Sequence, residues 1–257
     1  MAARLERGRT MGYARRMQVE VYESDRDALD AAAAAAETVL RDCTSAHPAL
    51  AVAGGRGGRA IMLSLAGRTG IPWDRIRATV VDDVCAPAVD AHVNRRLLQE
   101  HLGPARGLTN GGEAEPPPSP AEAVAAYEHE VRGVAGAGVR FDLIVVELGP
   151  NGELGVLAPG SADAADGTAT FAQVPGSGGA GADVHRIGLG RAPFAQATRV
   201  IVVALGADRS RALRRVLCDP AAQREPARLV HPSDRAEWFV DRAAAAELLR
   251  DAQPVRA

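Results

Sequence analysis

The sequence predicts an α/β protein, a three-layer Rossmann-like fold with helices on both faces of a mostly parallel sheet. Short apolar runs alternate with segments of helical spacing along the chain, the order expected when helices return successive strands to one sheet. Two of these runs, DLIVVE at 142–147 and RVIVVAL at 199–205, are continuous where a half-exposed strand would alternate, so both faces are expected to be covered. Glycines or paired acids stop several strands abruptly, which places polar loops at their carboxyl ends.

Residues 18–22 (QVEVY) alternate polar and apolar, as in a half-buried first strand. The Ala-rich stretch 25–43 has the propensity of a long helix. An apolar run at 49–52, a stop at Gly54-Gly55 and helical spacing over 59–66 give strand, tight turn, helix. Residues 76–81 form another strand, ending at Asp82-Asp83, and 92–102 has helical spacing. The segment 103–120 is dense in Gly and Pro and is the clearest loop, a surface excursion because the strand and helix rhythm resumes beyond it. A helix over 121–133 leads to the strand 142–147 and a glycine-punctuated loop. Residues 160–183, rich in Gly, Ala and Ser and without a period, predict irregular chain. A weak strand at 187–189 precedes the strong one at 199–205, Gly206 and a helix over 210–217. Short strands near Leu229 and at 238–240, then a helix over 241–250, close the order.

With 257 residues the chain can bury a sizeable core. Its formal net charge of −2 supplies no broad basic field, so nucleic acid is not an expected partner. No apolar stretch approaches the roughly 20 residues of a membrane span, and the first residues lack the order of a signal peptide, so no membrane association is expected. Cys43, Cys85 and Cys218 stand far apart, as reduced thiols of a cytoplasmic protein would. His92, His101, His129 and His231 have no ligand spacing, so no metal is expected, and no cofactor either. Residues 1–17 are Arg-rich and are expected to be a flexible extension to a single α/β domain over 18–257. A homo-oligomer or a protein partner is compatible with all of this.

In open α/β sheets, sites form beyond the carboxyl ends of the strands, which selects the loops after Val52, Val81 and Val146. The first, AGGRGGR at 53–59, sets Gly54, Gly55 and Gly57 at a helix N-terminus, where free N–H groups and the helix dipole suit an anion; Arg56 and Arg59 add guanidinium forks. A turn needed only for packing, with both arginines in solvent, fits the same residues equally well. In the second loop Asp82 and Asp83 suit proton transfer, or a turn and helix cap, and Asn94 suits a cap or a polar pocket. The third loop, 147–160, carries Glu147, Asn151 and Glu153. A carboxylate acts as a base at neutral pH when burial or a like charge raises its pKa, and Glu147 supplies that charge to Glu153 if the loop folds back.

Several short segments, in this order, resemble the 6-phosphogluconolactonases and the wider superfamily they share with the glucosamine-6-phosphate deaminases. AGGRGGR stands where that family has SGGSTPK; Asp82-Asp83-Val84-Cys85-Ala86-Pro87 with Val93-Asn94 stands for DERxVP and SN; ELGPNGELGVLAPG stands for GxGPDGHTASLFPG. Further on, Arg186-Ile187, Gly206-Ala207-Asp208-Arg209 and Trp238-Phe239-Val240-Asp241 resemble its RIT, GxxK and WFxD segments. The match covers most of 20–250. It is strongest in glycines, prolines and strands, and weakest in reactive side chains.

The resemblance implies a histidine in DGH that assists attack of water on a lactone carbonyl; this chain has Asn151-Gly152-Glu153 there. The arginine of DER is Val84, the hydroxyls of TAS give way to Leu154-Gly155-Val156, and Glu147 replaces a glycine. Arg209 replaces a lysine and, with Arg186, is a candidate for holding an anion. The candidate catalytic residues are therefore Glu153, Asp82, Asp83 and Glu147. The candidate binding residues are Gly54, Gly55, Arg56, Gly57, Arg59, Asn94, Asn151, Arg186 and Arg209. The expectation is a divergent lactonase-like protein with rebuilt acid–base chemistry, acting on a small anionic substrate that is sugar-phosphate-like or a lactone. The alternative is a non-catalytic protein that keeps the fold to bind a ligand or a partner.

Overall fold

The computed structural model describes residues 3–4, 18–84, 94–103, 120–161, 168–175, 185–229 and 235–251. Its strands are β1 (Ala3–Arg4), β2 (Gln18–Tyr22), β3 (Ala49–Val52), β4 (Arg77–Val80), β5 (Asp82–Val84), β6 (Leu143–Glu147), β7 (Phe171–Pro175), β8 (His185–Leu189), β9 (Arg199–Ala204) and β10 (Ala236–Asp241). The helices are α1 (Asp25–Asp42), α2 (Gly55–Ala66), α3 (Asn94–Leu102), α4 (Pro120–Ala135), α5 (Arg191–Gln196), α6 (Ser210–Cys218), α7 (Pro226–Leu229) and α8 (Ala246–Asp251). Single 3₁₀ turns lie at Ala207–Arg209 and Pro220–Arg224.

A seven-stranded sheet runs in the order β1-β2-β10-β9-β6-β3-β4. Every pairing from β2 to β4 is parallel, and β1 alone is antiparallel. The central strands are built from Val, Ile, Leu and Ala and are buried, as strands covered on both faces must be. α1 begins at Ser24, whose hydroxyl accepts the Asp27 N–H at 3.1 Å, with Asp25 and Asp27 favourably placed in its first turn. It buries Ala28, Ala32, Ala33, Ala36 and Leu40, a stripe that leaves mostly methyl groups between helix and sheet.

From β3 the chain passes to β4 on one side and later returns to β6 on the other, so the strand order reverses between β3 and β6. A crevice outside the carboxyl ends of these strands is where such folds place ligands. At Val81 the chain bends out of this sheet, and its carbonyl accepts the Leu189 N–H at 2.9 Å. β5 then joins a second, antiparallel sheet in the order β5-β8-β7, with Asp82 opposite Gly188 and Val84 opposite Arg186. This bend carries Asp82 and Asp83 out of the main sheet, just beyond the carboxyl end of β4.

Several expectations are corrected. Phe171–Pro175 is a strand inside the stretch expected to be irregular; its five residues, FAQVP, are too few and too irregular in pattern to stand out beside the Gly and Ser that follow. The chain near Leu229 is a helical turn, started by Pro226 at a first helical position where its missing N–H costs nothing. α2 starts at Gly55, so the glycines form its first turn instead of preceding it. Within the expected extension, Ala3–Arg4 pair with β2 and cover an edge that would otherwise expose unpaired backbone groups. Residues 5–17, and most of the 103–120 loop, lie outside the described residues.

Candidate active site

Asp82 is where the three selected loops meet. The residue is 2% exposed, and its Oδ2 is ion-paired with Arg186 from β8. The Asn94 amide, at the start of α3, donates to the Asp82 carbonyl at 2.7 Å and lies 3.4 Å from Oδ2. Asn94 in turn seals the first loop: a Cβ at Gly54 would fall 1.7 Å from Asn94 Oδ1. The third loop enters at Gly155, where φ is +59° and a Cβ would lie 3.5 Å from Asp82 Oδ1. Gly188 leaves room for the Asp82 Cβ across the strand pair, at 2.8 Å from where its own Cβ would be. Among the described residues nothing donates a hydrogen bond to Oδ1, so Oδ2 is committed to Arg186 and Asn94 while Oδ1 faces the third loop.

Asp83 points into a separate network. Its Oδ1 accepts the N–H groups of Val84 and Asn94, and its Oδ2 accepts Arg95 Nε at 2.6 Å. Arg95 also reaches Glu130 of α4 at 3.5 Å, and Glu130 accepts the Thr79 hydroxyl at 2.8 Å. Burial pushes the Asp83 carboxyl above the ordinary carboxylate range, although Arg95 and the two backbone donors pull it back. The buried Tyr127 hydroxyl lies 2.8 Å from the Val81 carbonyl and 3.1 Å from that of Val80, bracing the bend from beneath. Its burial, reinforced by the charges of Asp82 and Asp83, holds the phenol well above its usual pKa.

The N-terminus of α2 is filled from within. Glu147, at the carboxyl end of β6, crosses the β3/β6 crevice and accepts the Gly57 N–H at 3.0 Å through Oε2. Its Oε1 accepts Arg209 Nη2 at 2.6 Å. The Arg209 side chain is only 11% exposed; its Nε donates to the Leu148 carbonyl at 3.0 Å and its Nη1 to both oxygens of Asp208. A Cβ at Gly57 would sit 2.5 Å from the Glu147 carboxyl carbon, so this position is glycine because the carboxylate lies against the backbone. Arg56 falls in the first turn of α2 with its side chain outside the described residues, and Arg59 is exposed.

The third loop folds on itself. Glu153 Oε2 accepts the Asn151 N–H at 2.9 Å, the Gly149 N–H donates to the Glu153 carbonyl, and a Cβ at Gly149 would lie 2.2 Å from the Glu153 carboxyl carbon. Glu147 and Glu153 are thus directed to different partners: one carboxylate to α2, the other to its own turn. Asn151 offers its carbonyl to Arg215, which is also paired with Glu225, and Gly152 at φ +91° packs against both.

Of the candidate residues, the structure brings Asp82, Asn94 and Arg186 together, and around them stand Arg95, Glu130 and Tyr127, which the sequence did not single out. Arg95 had a signal available: a cation directly beside Asn94 can replace the one lost at Val84. Glu130 and Tyr127 stand three residues apart on one face of α4, a spacing visible only once that face is known to cover β4.

The comparisons with known proteins agree with this architecture. A 6-phosphogluconolactonase of Caulobacter vibrioides is 28% identical over 149 residues, spanning 56% of this chain and 62% of that protein's length. The structure of a 6-phosphogluconolactonase from Thermotoga maritima superposes with a TM-score of 0.70 at 22% identity, covering 86% of this chain and 98% of the other. That of 6-phosphogluconolactonase from Trypanosoma brucei gives 0.70 at 21%, covering 90% and 99%. A monomeric glucosamine-6-phosphate deaminase gives 0.70 at 16%, with 90% and 99% covered, so the same fold serves both branches. The profile of the glucosamine-6-phosphate isomerases/6-phosphogluconolactonase family matches residues 23–239, and the chain belongs to that family.

Proposed function

We propose that this protein is a lactonase-like enzyme with rebuilt acid–base chemistry, opening a small sugar-derived lactone at the cleft around Asp82, Asn94 and Arg186. The observation that carries this reading is the asymmetry of the Asp82 carboxylate. Oδ2 is held by Arg186 and Asn94, whereas Oδ1 faces the glycine of the third loop and has no described donor. A base oriented through one oxygen, with no donor to the other among the described residues, suits general-base work. Oδ1 accepts a proton from water as the water oxygen bonds to the lactone carbonyl carbon. Arg186, 37% exposed, is placed to stabilise the developing oxyanion. Collapse breaks the ring C–O bond, and the proton passes to the departing alkoxide, leaving a hydroxy acid. Glu153 shapes the loop in this scheme, and Asp83 orients α3 through Asn94.

The test is hydrolysis of a panel of aldonolactones, phosphorylated and unphosphorylated, by the wild type and by Asp82→Asn. Turnover of at least one lactone, lost by about 10²-fold or more in the variant with an unchanged unfolding midpoint, is the expected result. Turnover that survives Asp82→Asn refutes the assignment. One observation favours the second reading, a non-catalytic binding protein: Arg186, Arg95 and Arg209 are each matched by an internal carboxylate. A panel without turnover, with a small-molecule or protein ligand that raises the melting temperature, selects it.

A further inference from the structure

Glu147, we infer, is a built-in occupant of the anion cradle at the N-terminus of α2, and it restricts this site to substrates without a phosphate group. This rests on the lactonase-like reading and deepens it to a substrate class: neutral or singly charged polyhydroxy lactones. The cradle is present in every respect but vacancy. A twelve-residue helix presents the Gly57 N–H at its first turn, and a nearly buried guanidinium, Arg209, converges on the same point. The crevice lies where strand order reverses, between β3 and β6. Such a combination attracts an anion through backbone donors, helix dipole and charge together.

Glu147 already supplies that anion, at 3.0 Å from Gly57 N and 2.6 Å from Arg209 Nη2. Its carboxylate lies 2.5 to 2.7 Å from where a Gly57 Cβ would stand and 3.8 Å from a Gly55 Cβ, so it rests on the glycine turn itself. A phosphate arriving here has to displace a covalently tethered competitor and meet its charge. A tethered group acts at a high effective concentration, of millimolar order even for flexible links, and this one is held rigidly at a strand end. Arg209 also gives its other nitrogens to Leu148 and Asp208, so little cationic capacity remains for a second anion.

The experiment uses inorganic phosphate and 6-phosphogluconate as probes, with the Gly57 amide resonance and the melting temperature as readouts. In the wild type neither probe moves the Gly57 resonance at millimolar concentration. In Glu147→Ala both shift it, and saturating phosphate raises the melting temperature by about 5 °C or more. Glu147→Gln, which keeps an acceptor for Gly57 without the charge, shows an intermediate affinity. If Glu147→Ala is too unstable to purify, the wild-type titration and the Gln variant decide. A wild-type Gly57 shift that saturates with phosphate overturns the inference, and so does failure of the soluble variants to gain phosphate affinity. None of these readouts depends on turnover, so a negative lactone panel leaves this result standing, and the reverse also holds.

Discussion

Replacing Arg95 with Met removes the guanidinium and keeps most of the aliphatic stem, which isolates its electrostatic role. Asp83 is 1% exposed and Arg95 is 27% exposed on the side-chain scale, with 2.6 Å between Arg95 Nε and Oδ2. Removing one partner of a buried pair typically costs about 3–5 kcal/mol, since the other charge is left uncompensated. The part-exposed arginine and the two backbone donors that remain on Asp83 point to the lower end, about 3 kcal/mol, or a drop of about 6–12 °C in melting temperature for a chain of this size. The pH dependence is the sharper check. Burial raises the folded Asp83 pKa above its ordinary 3.8, so this residue's contribution to stability is greatest below that value and declines as pH rises through the folded pKa. Without Arg95 the folded pKa climbs further, so the loss is largest near neutrality and shrinks on acidification as Asp83 takes up its proton. Urea unfolding of both proteins from pH 5 to pH 8 measures this. A destabilisation below about 1 kcal/mol, or one that stays level across the range, refutes the assignment of Arg95 as the counter-ion. On an Asp83→Asn background the same substitution is expected to lose most of its effect.

Two smaller perturbations test the contacts that close the site. Gly54→Ala places a methyl group 1.7 Å from Asn94 Oδ1 without offending the backbone, since φ is −85° there; urea midpoints are expected to show a loss of about 1–3 kcal/mol, absent when Asn94 is also alanine. Gly152→Ala combines φ +91° with a 2.7 Å approach to Arg215 Nη2, and the same measurement is expected to show a loss of about 1–3 kcal/mol; an unchanged midpoint would mean that the loop adopts another conformation.

The central parallel strands were legible as continuous apolar runs stopped by glycines or acids, and α1 because its Ala-rich stretch is long enough to show helical propensity. β7 was not, since five residues with a single polar one among them show no strand period, and its partner β8 lies beyond 176–184 in the chain. α7 was mistaken for a strand because a four-residue element has too few positions to express either period. At the site, the loops that converge were predictable from where strands end, but the pairing of charges was not. Glu147 meets Glu153, six residues on, only if the loop folds back that way, and it reaches instead to Gly57 and Arg209, 90 and 62 residues away. Local spacing identifies which groups reach the crevice; the crossing order of the strands decides which of them meet.

That crossing order also bears on why the altered residues occur together. A guanidinium as enclosed as Arg209 requires a counter-charge in every state of the protein, whether or not a ligand is bound. Asp208 supplies one at 2.8 Å, and Glu147 adds a second at 2.6 Å on the side where a ligand would do so only when present. Arg95 stands to Asp83 in the same relation: with Val84 in the second loop, the buried acid has its cation from the first turn of α3. Both pairs are satisfied within the protein, and both leave the Asp82 and Arg186 pair as the most solvent-accessible charge couple of the three, with 37% of the Arg186 side chain exposed against 27% for Arg95 and 11% for Arg209. A ligand is therefore expected to be recognised chiefly there, by hydrogen bonding to a partly exposed guanidinium and to Asp82 Oδ1, and its affinity should depend weakly on salt because Arg186, Arg95 and Arg209 are each already paired with a carboxylate. Binding that falls steeply between 50 and about 200 mM salt would show that a cation elsewhere, such as exposed Arg59, carries the recognition instead.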